Sequence, residues 1–257
     1  MSKIIFTGTG SGCPSKDRAC SSFVVKTSSR LYQFDAGEGF SGSVQRCGLD
    51  VNSIGKIFIT HLHPDHVAGL FLELQLMYLI GRKKSLDIFV PPEAVNGLMK
   101  ATDMFYLFKE KFPFKYNFKP ILPRSVYRDK ELSVEAFSNL HLTGNKAVIK
   151  EHKKPNKMQS FSYIIKVNNK RVLYSGDLAQ QDDIGYLMDN VHTAIVEGLH
   201  VDLPSLFTAC AAKKLKRLIL THLSDKVDKR PNKILKIAEK AGFKKLIFAY
   251  DGLQLRI

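Results

Sequence analysis

The chain has 257 residues, of which 44% are hydrophobic and 25% charged, and this composition excludes a disordered or fibrous protein. Its formal net charge of +15 at pH 7 favours a polyanionic partner such as nucleic acid, although a generally basic surface would give the same total. Four scattered cysteines without a CxxC pair argue against a disulfide framework and for a reducing, cytoplasmic setting.

Short apolar runs and helical spacings alternate along the chain. In the first half they predict strands at 3–8, 22–26, 30–37, 56–60 and 86–92, and helices at 65–81 and 93–109. The second half turns antiparallel, with predicted strands at 132–141, 193–198, 217–222 and 245–250, a hairpin over 162–177 that turns at Asn168-Asn169, and helices at 203–215 and 231–241. This mixture predicts an α/β fold in which two sheets lie between helical layers.

Neither a signal peptide nor a membrane span is expected. An apolar strand begins at residue 4, and the charged region and hydrophobic region of a signal peptide do not precede it. The most apolar stretch, 67–80, contains Glu73 and is too short to cross a bilayer. No low-complexity tract or Pro/Gly/Ser-rich linker interrupts the chain, so we predict one domain over residues 1–257 and no membrane association.

Two segments of the chain echo each other. KIFITHLH at 56–63 and RLILTHLS at 217–224 both run from a basic residue through an apolar strand to Thr-His-Leu. We interpret this echo as a sign of two similar halves, each of which delivers a histidine from the end of a strand.

Metal-binding side chains are concentrated in KIFITHLHPDHVAG, residues 56–69. Three histidines and one aspartate lie within six residues, where a strand gives way to a helix: His61, His63, Asp65 and His66. At such a turn the side chains can converge, and imidazole and carboxylate groups suit zinc, manganese or iron. The absence of cysteine ligands argues against a structural zinc finger, so the segment predicts a different kind of metal site.

Three further donors stand where a predicted apolar strand becomes a polar loop. His141 closes one strand, Asp177 closes the hairpin and His222 closes RLILT. Together the donors number seven, which is what two metal ions with one bridging carboxylate require. Two ions about 3.5–4 Å apart can activate a water and stabilise the charge on a displaced oxygen.

These motifs resemble those of the metallo-β-lactamase superfamily, whose fold is a four-layer αββα sandwich. THLHPDH matches its HxHxDH signature. Within the superfamily the chain is most similar to the tRNA 3′-endonucleases called RNase Z. FTGTGSGCPSKDRACSSFVV resembles their amino-terminal signature, FDAGEG their FDCGEG, LYSGDL their YSGDT and LILTHLS their LTHFS. The resemblance extends from Ile4 to about Ser224.

The resemblance implies a role for each donor. Seven residues would hold two zinc ions per chain: His61, His63 and His141 one ion, Asp65, His66 and His222 the other, with Asp177 as the bridge. Asp65 would also act as the base that deprotonates the attacking water. His200 would be the general acid that protonates the leaving oxygen, and Glu197 would orient it. Manganese or iron could replace zinc, and a homodimer is the expected assembly.

One length departs from the RNase Z pattern. The bacterial enzymes insert a long arm that clamps tRNA between the equivalents of His141 and Asp177, whereas only 35 residues separate the two here. A short basic loop, 142–160, takes its place. Smaller departures at Ala19, Phe40 and Leu178 fall in loops close to where the resemblance puts the substrate.

Four functions are compatible with these observations. The first is a phosphodiesterase with a dinuclear zinc-activated water, most concretely an RNase Z-like endoribonuclease acting on precursor tRNA in tRNA 3′ processing. The second, favoured by the missing arm, is a phosphodiesterase of the same mechanism on a small diester such as a cyclic phosphate or nucleotide. A hydrolase of thioesters or lactones is the third. The intact ligand set disfavours the fourth, a nucleic-acid-binding protein that has lost catalysis.

Two basic stretches offer surfaces for a nucleic acid. Residues 213–256 contain thirteen Lys or Arg against four Asp or Glu, and 142–160 contains five Lys against one Glu. Lysine near a helix carboxyl end is also favourable without any ligand, because it opposes the helix dipole.

Overall fold

A computed structural model describes residues 2–224, 227 and 230–257 and divides the chain into two compact units. The first unit comprises Met1–Leu122 and Tyr250–Ile257, and the second comprises Pro123–Ala249. Each contains one seven-stranded sheet. Within the described residues, no helix combines the length and the apolar character needed to cross a membrane. The prediction of one domain stays a prediction.

The first unit is built on a sheet of mixed direction. Its strands are β1 (Lys3–Gly8), β2 (Ser22–Lys26), β3 (Leu31–Phe34), β4 (Ile54–Phe58), β5 (Leu86–Val90), β6 (Tyr116–Pro120) and β14 (Gln254–Arg256), in the order β14-β1-β2-β3-β4-β5-β6. Pairings are antiparallel from β14 to β3 and parallel from β3 to β6. The carboxyl ends of β3 to β6 therefore share one edge of the sheet, and their amino ends share the other.

Four α-helices belong to this unit: α1 (Phe40–Arg46), α2 (Pro64–Val67), α3 (Gly69–Leu79) and α4 (Val95–Met104). The single helix predicted at 65–81 is thus divided, because the N–H of Gly69 donates to the carbonyl of Ala36 (2.9 Å). Only glycine fits there, since a Cβ would lie 2.1 Å from the carbonyl oxygen of Gly37. The helix predicted at 93–109 ends at Met104, shortly before Tyr106 adopts a φ of 58°.

The core of the first unit lies between these helices and the sheet. Leu70, Leu74 and Met77 of α3 are buried in one cluster with Ile57 of β4 and Ile88 of β5. The apolar spacing that predicted the helix therefore marks its packed face.

The second unit has a sheet with the same plan. Its strands are β7 (Val126–Arg128), β8 (Leu132–Ser138), β9 (Phe161–Val167), β10 (Lys170–Tyr174), β11 (Thr193–Glu197), β12 (Arg217–Thr221) and β13 (Leu246–Phe248). The predicted hairpin is β9-β10, and Asn168 and Asn169 turn it with φ values of 49° and 59°, as a type I′ turn requires.

Three described α-helices complete this unit: α5 (Lys146–Glu151), α6 (Leu203–Ala212) and α7 (Pro231–Lys240). Asp202 starts α6 by accepting a hydrogen bond from the N–H of Ser205 (3.0 Å). The segment 142–160 differs from the predicted loop, because a 3₁₀ turn at His141–Asn145 leads directly into α5.

The two sheets repeat one strand order, which confirms the interpretation of two similar halves. In each, three antiparallel pairings are followed by three parallel pairings: β14-β1-β2-β3-β4-β5-β6 corresponds to β7-β8-β9-β10-β11-β12-β13. The Thr-His-Leu echo does not join equivalent strands, however. His61 follows β4, whose counterpart is β11, whereas His222 follows β12.

Candidate metal centre

The four predicted donors of the first unit lie together after the carboxyl end of β4. Nε2 of His61 is 3.1 Å from Nδ1 of His63, and Nε2 of His66 is 3.6 Å from Oδ2 of Asp65. The rings of His61 and His66 are 4.2 Å apart. Pro64 at the first position of α2 starts the helix directly after His63, which places Asp65 and His66 in its first turns.

A buried carboxylate that sequence reasoning missed supports this group. Oδ2 of Asp35 accepts a hydrogen bond from Nδ1 of His66 (2.8 Å), and Oδ1 accepts one from the N–H of Thr60 (2.7 Å). The Thr60 hydroxyl also bonds Asp35, at 3.0 Å, and lies 3.0 Å from Nδ1 of His61. Both rings are therefore held through Nδ1, so Nε2 is the atom that each could offer to a metal. The available signal was FDAGEG, where Asp35 directly follows an apolar strand.

Asp35 is itself held by a buried glutamine, which in turn bonds a buried glutamate. It follows β3 with a φ of 56°, in the left-handed region. Nε2 of Gln33 donates to the main-chain oxygen of Asp35 (3.1 Å) and to Oε2 of Glu73 (2.9 Å). Burial raises the pKa of Glu73 to about 8, so this side chain is mainly the neutral acid at pH 7.

In the second unit, two predicted histidine ligands lie beside Asp177. Oδ2 of Asp177 is 3.3 Å from Nε2 of His222 and 3.6 Å from Nε2 of His141. Gly176, with a φ of 57°, turns the chain after β10 and presents Asp177. Nδ1 of His141 lies 3.3 Å from the carbonyl oxygen of Leu178, so this ring also presents Nε2.

Two further side chains that sequence reasoning missed join the loops around Asp177. Oδ1 of Asn139 accepts a hydrogen bond from the N–H of His141 (3.2 Å). Oδ2 of Asp183 accepts hydrogen bonds from the N–H groups of Leu140 (3.3 Å) and Ala179 (3.0 Å). One carboxylate thereby connects the residue before His141 to the loop after Asp177.

The Glu197–His200 pair forms at the end of β11. Oε2 of Glu197 accepts hydrogen bonds from the N–H groups of Leu199 (2.6 Å) and His200 (2.9 Å), and Oε1 is 3.4 Å from Nδ1 of His200. Glu197 is buried, whereas the side chain of His200 is 37% exposed. The His200 ring lies 5.1 Å from that of His141 and 5.9 Å from that of His222, beside the ligand set of this unit.

The donor sets of both units fit a divalent transition metal. For a tetrahedral ion with bonds of about 2.1 Å, two ligand atoms lie roughly 3.4 Å apart. The measured separations between donor atoms are 3.1 and 3.6 Å in the first unit, and 3.3 and 3.6 Å in the second. Neutral imidazoles and carboxylates without thiolates match zinc, manganese or iron.

Curated relatives agree with the resemblance to RNase Z. The ribonuclease Z of Crocosphaera subtropica is 36% identical over 134 residues, which cover 51% of this chain and 42% of that protein. The ribonuclease Z of Methanocaldococcus jannaschii is 28% identical over 279 residues, with 88% of this chain and 87% of that protein covered. The chain thus spans less than half the length of the Crocosphaera relative.

A solved structure confirms the predicted fold. The metallo-β-lactamase fold protein YhfI from Bacillus subtilis superposes with a TM-score of 0.78 over 100% of both chains, at 15% sequence identity. The fold is therefore that of the metallo-β-lactamases.

A family model covers nearly all of the chain. It is described as Anti-Pycsar protein Apyc1, and it matches residues 2–247, a range that includes all seven predicted ligands together with Glu197 and His200. This chain belongs to the Anti-Pycsar protein Apyc1 family.

Proposed function

We propose that the protein is a metal-dependent phosphodiesterase in which the donors of the two units together bind one pair of metal ions. The observation that supports this best is the Glu197–His200 pair beside Asp177. A metal site alone would serve many hydrolases, but an oriented imidazole next to it suits the departure of a poorly stabilised oxygen.

Seven side chains would hold the metal: His61, His63 and His141 one ion, Asp65, His66 and His222 the other, with Asp177 shared. When bound, such ions supply Lewis-acid stabilisation of phosphoryl oxygens and lower the pKa of water. Zinc is the first choice for this donor set, and manganese or iron is compatible with it.

Asp65 is proposed as the general base that takes the proton of the attacking water. Its side chain is 12% exposed, so it is largely but not completely excluded from solvent. Gly12 lies against it: a Cβ at that position would come within 3.2 Å of Oδ2 of Asp65. A glycine there preserves space beside the carboxylate for a water or a phosphate oxygen.

His200 is proposed as the general acid, with Glu197 as its positioning residue. Because Nδ1 of His200 faces Glu197, Nε2 is the atom that would give its proton to the leaving oxygen. Glu197 is held by two main-chain N–H groups, which fixes the carboxylate that orients the ring. The partial exposure of His200 allows a substrate to reach it.

RNase Z-like cleavage of precursor tRNA is the first candidate reaction, supported by the relatives named ribonuclease Z and by the net charge of +15. A small phosphodiester is the second candidate. It is favoured by segment 142–160, where a 3₁₀ turn and the six residues of α5 stand in place of a long arm.

The test compares cleavage of a precursor tRNA with cleavage of a generic phosphodiester, both with metal present and at graded salt. RNA cleavage should weaken steeply as salt rises, because binding releases counterions, whereas turnover of a small diester should hardly change. If neither substrate is cleaved in the presence of metal, the proposed function is contradicted.

Two variants test the assigned roles. Asp65→Ala should abolish turnover, and retention of more than about a tenth of the activity would exclude it as the base. His200→Ala should slow a substrate with a poor leaving group by about 10²–10⁴-fold and largely spare an activated nitrophenyl ester. His152→Ala is the matched control, because its side chain is 57% exposed and outside the donor sets. Equal losses on both substrates in His200→Ala would contradict the general-acid role.

A further inference from the structure

A basic groove lies at the amino ends of β4, β5 and β6, at the sheet edge opposite the one where His61 follows β4. It consists of two hollows of about 710 and 340 Å³ that share Ser85, and we call it the amino-edge groove. From Ile54 to His61 the chain extends roughly 20 Å at about 3.3 Å per residue. The groove is therefore remote from the metal-binding donors of the same unit.

The lining of the groove is positively charged. Five lysines line it, and three of them are the exposed ones: Lys83, Lys84 and Lys115. All three are exposed, and none has a carboxylate partner in the part of the chain that the structure describes. Among the described residues, no acidic side chain lines either hollow. Lys56, which also lines it, is neutralised by Asp87 at 2.5 Å.

A buried arginine forms the floor of the groove. Arg82 is 2% exposed, and its guanidinium donates to five main-chain carbonyls, those of Val51, Asn52, Ile54, Lys84 and Ser85. These bonds fix the turn that carries Lys83 and Lys84. Glu73 and Asp50 are the acids whose charge acts on Arg82; burial raises the pKa of Glu73 to about 8, so at neutral pH Glu73 does not cancel the charge of the arginine.

Aromatic rings alternate with cations along one wall, in the segment KEKFPFKY at 109–116. Phe112 is half-buried and lies 5.2 Å from the ring of Tyr78, which is 39% exposed. Nζ of Lys109 is 5.1 Å from the ring of Tyr116, and the guanidinium of Arg82 is 5.4 Å from that of Phe114. Phosphates need such cations, and bases can stack on exposed rings. Phe114 and Tyr116 are buried, so Phe112 and Tyr78 are the rings of this group that a base could reach.

We propose that the amino-edge groove binds a single-stranded nucleic acid. Its phosphates would lie along Lys83, Lys84 and Lys115, and a base would stack at Phe112. A concave groove with aromatic walls fits a flexible strand better than it fits a flat membrane surface, which is contacted by projecting apolar side chains. The proposal goes beyond the phosphodiesterase function, since it requires neither the metal-binding donors nor hydrolysis.

The experiment measures binding of a short fluorescent oligouridylate to the full chain by anisotropy, in the presence of a chelator and at graded salt. The groove variant is the triple K83Q/K84Q/K115Q. The matched control is K26Q/K130Q/K166Q, which changes three exposed lysines outside the groove and outside both basic stretches, and which lowers the net charge equally, from +15 to +12 (three fewer positive charges).

The groove triple should weaken binding at low salt by at least about tenfold and reduce the slope of log affinity against log salt by about 2, or roughly 0.7 for each lost phosphate contact. The control should change the affinity by less than about threefold. Phe112→Leu should weaken binding several-fold without changing the slope, because it removes only stacking. Thermal unfolding of each variant checks that the fold is intact.

Equal losses in both triples would overturn the proposal, because net charge alone would then explain the binding. Unchanged oligouridylate affinity in the groove triple would also overturn it. So would a groove triple that loses binding to phosphatidylserine vesicles but keeps its affinity for the oligouridylate. Because the chelator prevents hydrolysis, binding is measured apart from turnover. Groove binding together with no turnover in a separate assay with metal present would contradict only the phosphodiesterase proposal. Turnover with metal but no groove binding would contradict only this one.

Discussion

Replacing Asp35 by asparagine should weaken zinc binding by about 10- to 100-fold, which corresponds to about 1.4–2.8 kcal/mol. In the native chain, the carboxylate accepts hydrogen bonds from both Thr60 and Nδ1 of His66. The single oxygen of asparagine can still accept the N–H of Thr60, but its NH₂ group then faces His66. That contact favours the tautomer with its proton on Nε2, the atom proposed to bind the metal.

The assay is competition for zinc with a chromophoric chelator. Asp251→Asn is the matched control, because Asp251 also accepts main-chain hydrogen bonds in the first unit, from Thr9 (3.0 Å) and Ala19 (2.7 Å), and contacts no histidine through them. We expect it to lower the free energy of unfolding by about 1–3 kcal/mol and to leave zinc affinity within about twofold. Equal loss of zinc affinity in both variants would refute the reasoning, because a general loss of stability would then explain the effect. Unchanged zinc affinity in Asp35→Asn would refute it as well.

Three further predictions concern stability. Burial raises the pKa of Glu73 from 4.5 to about 8, so between these pH values the folded chain keeps a proton that the unfolded chain releases. The free energy of unfolding of the native chain should therefore fall as pH rises through this range. Urea titrations at about pH 5 and pH 8.5 should show this fall in the native chain and not in Glu73→Gln. An equal pH dependence in both proteins would exclude Glu73 as its source. Gly69→Ala should destabilise the fold strongly, whereas Gly97→Ala, in open space within α4, should stabilise it by up to about 1 kcal/mol. Comparable thermal midpoints of the two variants would contradict the close approach of Gly69 to the carbonyl oxygen of Gly37. Zinc should raise the thermal midpoint of the native chain more than that of Asp35→Asn, because a ligand stabilises the folded state in proportion to its affinity; equal shifts would argue against metal binding at His66.

The candidate metal ligands were recognisable in the sequence because each follows an apolar strand and carries an imidazole or a carboxylate. The structure brings His61, His63, Asp65 and His66 together in the first unit. In the second unit His141 and His222 lie beside Asp177. Strand ends are the places where a sheet presents side chains to a site, so the spacing of strands along the chain was sufficient to identify these residues.

The supporting residues could not be predicted in the same way. Asp183 accepts hydrogen bonds from the main chain of Leu140, which is 43 residues away, and of Ala179. Which amides a carboxylate accepts depends on how distant loops meet, and no local pattern carries that information. Asp35 was nearer to recognition, but its role depends on the left-handed backbone that aims it at Thr60 and His66.

The elements missed by the sequence reasoning have weak local signals. Helix α1, FSGSVQR, contains glycine and two serines, which are poor helix formers, and it exists because Phe40 and Val44 are buried against the core. Strand β6, YNFKP, alternates correctly, with Tyr116 and Phe118 buried, but it has only five residues and ends in proline. Tertiary packing, rather than propensity, determines these elements.

The proposed function is tested most directly by measuring phosphodiester hydrolysis in protein of known metal content. The purified chain should hold two metal ions and hydrolyse a nitrophenyl phosphodiester. Removing the metal with a chelator should abolish turnover, and adding it back should restore turnover in the native chain but not in Asp65→Ala. Full activity after complete removal of the metal, or no turnover of RNA and small diesters by the fully loaded protein, would contradict the proposal.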